Sequence, residues 1–413
     1  MKIAVIGAGI VGICTAYELA LDGHSVTVFE RNAAAAEEAS FACGAMLAPS
    51  LSHPLAWPAW PQTSALRTLV QDSGIHLGRS SSLADLRWLL RWKRPTAGFL
   101  ERFSAAHGLA LYSQTRRQGL MQQYGLVCEQ SSGLLQLLAS AREAQAWQER
   151  LGSLRILGVP VQQLNAEEAR QHEPALGTGV AMHGALHFPQ DEAANCRQFA
   201  QALRERALEL GVAFHFGTTV KAFSHGSSPQ LHTDTQGTLG FEQLVLCAGM
   251  GAAPLLGASA RAALRGVWSY SLSAQVREPL NAPRSAVLLP RGTAAISRLG
   301  QRVRVTGGAL LGQPHVAGKK AAQGRLYQAL QSHFPGATDF GRSIQFWQGA
   351  SVFSADALPL LGPSAHSGIW LNLAHGHNGW NMASGAARVL ADQMAGRSPE
   401  IDISALQAAR FKT

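Results

Sequence analysis

The chain has 413 residues, 46% of them apolar and 15% charged, which is enough apolar material for a large core and excludes a wholly disordered, solvating polymer. Its 35 lysines and arginines exceed its 26 aspartates and glutamates, for a net charge of +9, a balance that favours anionic partners such as phosphates, carboxylates or acidic lipid. Five cysteines, at 14, 43, 128, 196 and 247, form no CxxC pair, which argues against a disulfide framework or a zinc site and fits a reducing compartment.

Residues 2–6 (Lys-Ile-Ala-Val-Ile) read as a short buried strand. Gly7-Ala8-Gly9-Ile10-Val11-Gly12 follows, and then a helical run to Leu21. The whole segment could pass for a signal peptide. Its glycines, the break at Glu18 and a second strand pattern, Ser25-Val26-Thr27-Val28-Phe29-Glu30, predict a folded βαβ start instead. In such a unit Gly7 permits the tight turn, Gly9 lets the backbone approach a pyrophosphate, and Gly12 lets helix and strand pack closely. The helix start offers free N–H groups and a positive dipole end to the phosphates. Glu30, 18 residues after Gly12, ends the second strand where a carboxylate can accept bonds from ribose hydroxyls. The pattern predicts a dinucleotide site and does not separate NAD from FAD.

Further along, residues 33–60 are loop-rich, and 61–125 read as helical and basic. Residues 126–190 mix strands with a helix near 140–151. Gly184 to Pro189 reads as a strand running to a turn, and 191–210 as a helix capped by Asp191 or Asn195. Strands are expected at Val212–Phe216, Val220–Phe223 and Leu244–Gly249. Between 267 and 312 the pattern alternates as antiparallel strands do: Tyr270–Val276, Ala286–Leu289, Ala294–Arg298 and Val303–Gly307. A helix over about 320–334, a strand Ile369–Asn372, a glycine-rich loop and a last helix near 380–396 complete the chain. Parallel-sheet signals thus lie at both ends and in the middle, with antiparallel signals between them. No uncharged run of membrane-spanning length is present, and there is no metal-ligand cluster, since His375-Gly376-His377 has no carboxylate companions.

Four stretches together resemble the FAD-dependent amine and D-amino acid oxidoreductases: D-amino acid dehydrogenases of the small-subunit type, glycine oxidases and sarcosine oxidases. They are Gly7–Arg31; the loop Ser40-Phe41-Ala42-Cys43-Gly44-Ala45-Met46-Leu47-Ala48-Pro49; Gly184–Phe223 with Leu246–Gly251; and the tail. The tail is the most specific: Phe346-Trp347-Gln348-Gly349, Asp356-Ala357-Leu358-Pro359-Leu360-Leu361-Gly362, and Trp370 through Trp380. The resemblance implies an α/β plus α+β fold, a Rossmann-type FAD-binding domain (1–52, 188–256 and 338–413) interleaved with an antiparallel-sheet substrate domain (53–187 and 257–337). It implies noncovalent FAD contacted by Gly7, Gly9, Ile10, Val11, Gly12, Glu30, Arg31, Ser40, Ala45, Met46, Val220, Ala248, Gly249, Gly376, His377, Asn378, Gly379 and Trp380. Val220 would lie at the adenine, and 375–380 under the flavin ring. The N–H groups of the last helix would face the pyrimidine edge, where reduced flavin carries negative charge.

The implied activity is oxidation of a D-amino acid or related amine to an imine, by hydride transfer to the flavin N5 atom, with hydrolysis to a keto acid and ammonia. Tyr270, Arg298, His375 and His377 are the candidate catalytic residues; the histidines would assist deprotonation or simply hold the loop. Ser351 stands where the family places its carboxylate-binding Arg, and Ser cannot supply a bidentate pair. This leaves open a secondary or non-α amine as substrate, such as an imino acid or a glycine- or sarcosine-like compound, or a carboxylate held by Arg298, Arg291 or His53. It also leaves open a flavin-bearing electron-transfer subunit that is inactive alone. Trp268 replaces a usual Lys, and Cys43 a usual Asn or Ala. Trp88, Leu89 and Trp92 share a helical face flanked by Arg87, Arg91, Lys93 and Arg94, which suits either packing or contact with a membrane interface and a quinone acceptor. The expected placement is cytoplasmic or peripheral to the inner membrane face, with no nucleic-acid partner; the oligomeric state is not legible.

Overall fold

Ile3, Ala4, Val5 and Ile6 are all buried, as a strand covered on both faces must be. In the computed structural model, which describes residues 1–52, 76–78, 80–92, 99–341 and 344–410, strand Lys2–Ile6 lies inside a six-stranded sheet. The order across this sheet is Leu360–Pro363, Ile369–Leu373, Gln243–Leu246, Lys2–Ile6, Ser25–Phe29, Ala213–His215. Each pairing is parallel except that of Leu360–Pro363 with Ile369–Leu373. Helices Ile10–Leu21, Cys196–Glu209 and Gly379–Met394 cover one face through Ile13, Tyr17, Phe199, Leu203, Trp380 and Ala387. The two ends of the chain are therefore neighbours in one core.

The second sheet has ten strands and is mostly antiparallel. Along its main path run Gln345–Phe353, Arg265–Gln275, Arg302–Leu311, Ala294–Leu299, Ala286–Leu288, Ser131–Leu138, Gly184–Ala193 and Met46–Leu47. Helix Val316–His333 packs on one face through Ala322, Leu326 and Leu330. The mixed α/β architecture with two interleaved sheets is the expected one. Strand Gln345–Phe353 adds to the antiparallel sheet although it falls in a segment expected to belong to the nucleotide unit. Helix Phe99–Tyr124 shows the reverse. Ala106, Leu109 and Ala110 pack on Met382, Ala386 and Val389 of the closing helix, and a Cβ on Gly385 would come within 2.8 Å of the Ser113 nitrogen.

Several local expectations shift. Pro189 does not end its strand, which continues to Ala193; the partner ladder is irregular between Ser132 and Leu134, opposite the proline, and a bulge tolerates a residue without an N–H. The helix after it starts at Cys196, because the Asn195 side chain accepts from the Gln198 N–H at 3.2 Å. Asp191 is instead buried in the strand and accepts from the Ser50 hydroxyl at 2.9 Å. In helix Leu83–Trp92 packing is the outcome for the apolar face: Trp88 and Leu89 are buried against Val267, Leu311 and Phe353, and the Trp88 indole donates to the Ala263 carbonyl. Trp92 lies at the end of that helix, while Lys93, Arg94 and His53 lie outside the described residues. Among the described residues no helix is long and apolar enough to cross a membrane, and no group of three potential metal ligands occurs.

Candidate active site

The carboxyl ends of the parallel strands open into a cleft of about 1280 Å³, its mouth included, at the position where open α/β sheets bind ligands. One wall is the first βαβ unit. Gly7 sits at φ +104°, and a Cβ there would meet the Cys247 carbonyl oxygen at 2.7 Å. A Cβ on Gly12 would lie 1.8 Å from the Gly7 oxygen, so this glycine sets the helix against the turn. Gly9 caps the helix in extended backbone. Above the first turn, Ser40 Oγ accepts from the Ile10 N–H at 3.1 Å, which places a hydroxyl at the positive end of the helix.

Glu30 lines the cleft at the end of strand Ser25–Phe29. Its Oε2 accepts from the Ala8 N–H at 2.7 Å, and its Oε1 from the Asn32 backbone and side-chain N–H groups at 2.9 and 2.8 Å. The carboxylate is thereby fixed beside the glycine turn. Arg31 lines the same end and is ion-paired with Glu38. Val220, Ala248 and Gly249 line the cleft. Thr218, Thr219 and Asn32 line it too; the sequence carries no motif for them beyond their neighbourhood to Val220 and Glu30.

The opposite wall is the last strand and its loop: Asn372, Leu373, Ala374, His375, Gly376, His377, Gly379 and Trp380. Gly376 has φ +55°, and a Cβ there would collide with Phe353 at 2.5 Å. The histidine roles separate. The Thr15 hydroxyl donates to the Val11 carbonyl (2.7 Å) and accepts from Asn372 Nδ2 (3.0 Å). Asn372 Oδ1 then faces His375 Nε2 at 2.8 Å, so this network assigns the proton to Nε2. Burial keeps the ring neutral, its pKa pushed down to about 4. The Nδ1 lone pair is left buried at the cleft, without a partner among the described residues. His377 is exposed in the cleft, edge-on to Phe353. The first helix and the last strand are thus hydrogen-bonded through Thr15 and Asn372, the latter missed from sequence because an Asn inside a strand reads as structural.

Four residues expected to touch the cofactor stand behind the cleft. Gly12 packs helix on turn. Ala45, at φ +62°, is buried and its carbonyl accepts from the Ala194 N–H. Met46 pairs with Ala193, and the Asn378 N–H closes a turn on the His375 carbonyl. Two expected catalytic residues are not brought to the cleft. Tyr270 is buried among Leu272, Val303, Val305 and Leu330 and stacks on Phe346, on the face that packs against helix Val316–His333. The other face of that sheet presents Ser271, Thr306 and Trp347 towards loop 40–46, with Trp347 stacked on Phe41 at 4.4 Å. Arg298 donates to the carbonyls of Gly300 (3.0 Å) and Pro279 (3.4 Å), and Arg291 is exposed at φ +58°. Ser351 does line the cleft, between Ala350 and Val352. Among the described lining residues the sole guanidinium is that of Arg31, at the Glu30 end.

These groups fit a dinucleotide carrying a planar ring system: a close-approach glycine turn, a helix start, a fixed carboxylate, and a buried acceptor at the far wall that has no partner among the described residues. A family model described as FAD dependent oxidoreductase matches residues 2–393. A D-amino acid dehydrogenase of Bradyrhizobium diazoefficiens is 32% identical over 419 residues, covering 100% of this chain and 99% of that protein. One of Cereibacter sphaeroides is 33% identical over 417 residues, covering 100% and 95%. Among solved structures, glycine oxidase from Geobacillus kaustophilus superimposes with a TM-score of 0.73 at 22% identity, over 99% of this chain and 98% of that one. L-proline dehydrogenase from P. horikoshii gives 0.71 at 16%, over 99% and 97%. These two show a shared fold.

Proposed function

The chain belongs to the FAD dependent oxidoreductase family, and from that premise we propose that it oxidises a D-amino acid or a related amine, with noncovalently held FAD, to an imine that water hydrolyses to a carbonyl compound. The curated relatives named D-amino acid dehydrogenase support this substrate class. The observation that carries the reading is one continuous cleft. It runs from Glu30 past the glycine turn to His375–Trp380, and it reaches strand Gln345–Phe353 at Ala350–Val352.

FAD, when bound, supplies a two-electron acceptor that takes hydride from the α-carbon of the amine. The chain's own residues bind and orient. Gly7 and Gly9 admit the pyrophosphate to the helix start and Ser40, and Glu30 accepts from ribose hydroxyls. Gly379 and Trp380 begin the closing helix, whose N–H groups would favour negative charge on a group held at that wall. His375 stays neutral at working pH and offers a lone pair, not a cation. Ser351 gives the substrate end a hydroxyl in place of a guanidinium, which supports the second reading: a secondary or non-α amine, imino-acid or sarcosine-like.

Anaerobic bleaching of the flavin band tests both. A panel of D-amino acids, imino acids and secondary amines should include at least one compound that bleaches it within seconds, and secondary amines alone doing so would select the second reading. A flavin that no amine reduces would overturn the proposal in favour of an electron-transfer subunit.

For the acceptor we propose a quinone at the inner face of the cytoplasmic membrane, with the protein cytoplasmic or peripheral. With Trp88 and Leu89 turned inward, the face left for contact is Leu83, Arg87 and Leu90, which recur at helical spacing and are exposed. The holoenzyme should sediment with anionic vesicles at low salt and be released by high salt. Equal sedimentation with and without vesicles would remove membrane contact.

A further inference from the structure

Cys43 stands where the resemblance places Asn or Ala, and the chemistry proposed for the cleft makes no use of it. The fold brings it to Cys196, far away in sequence. Cys43 lies on the loop that carries Ser40. Cys196 is the first residue of helix Cys196–Glu209, and both line the nucleotide cleft. The pairing of Met46 with Ala193 and the bond from the Ala194 N–H to the Ala45 carbonyl (2.9 Å) set the two cysteines on facing segments, where the Cys43 sulfur interacts with the Cys196 thiol and the Arg304 guanidinium. Arg304 is anchored there, Nη1 donating to the Cys43 carbonyl (3.3 Å) and Nε to the Ser273 hydroxyl (3.1 Å). Cys43 is partly accessible, whereas Cys196 is buried.

We propose that Cys43 and Cys196 are a peroxide-responsive dithiol, Cys43 the reacting thiolate and Cys196 the resolving thiol, which form a reversible disulfide in the wall of the cleft.

The contacts that favour the step are those of redox-sensing cysteines: a thiolate held by donors and a cation, accessible, with a second thiol within reach. The Cys196 thiol and the Arg304 charge hold the Cys43 thiol down at about 7. Burial, and then the neighbouring Cys43, push that of Cys196 well above the ordinary range. The balance is complete with a peroxide as oxidant. The Cys43 thiolate attacks one peroxide oxygen; an S–O bond forms, the O–O bond breaks, and the departing hydroxide takes a proton to leave as water. The Cys196 sulfur then attacks the sulfenic sulfur, forming the S–S bond and expelling a second water that carries away the Cys196 proton. Two thiols lose two electrons to one peroxide, which becomes two waters.

The test uses the FAD-loaded wild-type protein, hydrogen peroxide, and a peptide map without reductant. The expected product is one joined peptide containing Cys43 and Cys196, lighter by two hydrogens than the sum of its parts and separated by dithiothreitol. In Cys196→Ser the same dose should leave Cys43 as a sulfenic acid that dimedone captures; in Cys43→Ser, Cys196 should stay a free thiol. The proposal is overturned if treated wild type yields both cysteines as free thiols, or a joined peptide made of other cysteines such as Cys14 and Cys247. The map reads the sulfurs directly, so its outcome is independent of which amine the cleft accepts.

Discussion

Gly12→Ala should leave a folded but nearly colourless protein, with affinity for FAD lowered at least ~100-fold, about 2.8 kcal/mol. The methyl group would stand 1.8 Å from the Gly7 oxygen and 2.9 Å from its carbonyl carbon. Neither side can yield easily. The Gly7 N–H is bonded to the Phe29 carbonyl at 2.8 Å, and the next residue, Ala8, donates to Glu30 and accepts from the Ala36 N–H. On the helix side the Ile13 N–H is bonded to the Gly9 carbonyl at 2.9 Å. The helix must slide away from the turn, and its start and the Ser40 hydroxyl move with it. Overpacking of this kind costs about 1–3 kcal/mol, and here the displacement falls on the atoms proposed to meet the pyrophosphate. Titration of the apoprotein with FAD, followed by flavin fluorescence, measures the loss, and circular dichroism verifies the fold. Gly9→Ala is the contrast: its nearest neighbour would be Ser40 Oγ at 3.4 Å, so the fold should be untouched. Wild-type affinity in Gly12→Ala would sink the assignment of this turn as the phosphate site.

The glycine turn was legible in the sequence because Gly7 and Gly12 answer to backbone constraints that no other residue meets, and because strand, turn, helix and acidic strand end follow in fixed order. Glu30, Val220, Ala248 and the loop after Ile369–Leu373 all face the cleft for the same reason: they sit at strand ends, whose positions a parallel sheet dictates. What failed was the choice of face in the second sheet. Tyr270 reads as a ligand when taken alone. Its neighbours alternate, with Leu272 and Ala274 on its side and Ser271 and Ser273 on the other, and a period of two already puts the tyrosine with the apolar set. The irregularity between Trp268 and Tyr270 hides this from a short window. Arg298 failed differently. Its strand position was right, but a long side chain near a strand end reached the backbone carbonyls of Gly300 and Pro279, which no spacing rule records. Asn372 and Thr15 were invisible because their partners are one another, 357 residues apart.

Glu18 offers the second large effect. Its carboxylate is buried, its side chain 1% exposed, between two guanidinium groups: Arg116 Nε at 2.7 Å and Arg388 Nη1 at 3.0 Å. The three residues come from the first helix, from Phe99–Tyr124 and from the closing helix Gly379–Met394, so one carboxylate ties together segments from both ends of the chain. Arg388 has other anions, Asp22 at 2.5 Å and Asp392 at 2.9 Å, whereas Glu18 is the one acidic partner of Arg116 among the described residues. Glu18→Ala should therefore destabilise the nucleotide unit by about 3–5 kcal/mol, the usual cost of leaving a buried charge without its partner. The replacement of both members by apolar side chains, Glu18→Leu with Arg116→Met, should recover at least half of that loss, since the pair's desolvation penalty disappears with its attraction. Urea titration monitored by the fluorescence of released flavin follows this unit alone, a necessary choice in a chain of interleaved domains where a single global midpoint is ill-defined. A Glu18→Ala midpoint equal to wild type would mean that apolar packing alone holds the three helices together, through Ala383 and Ala387 on one side and Ala106 and Ala110 on the other.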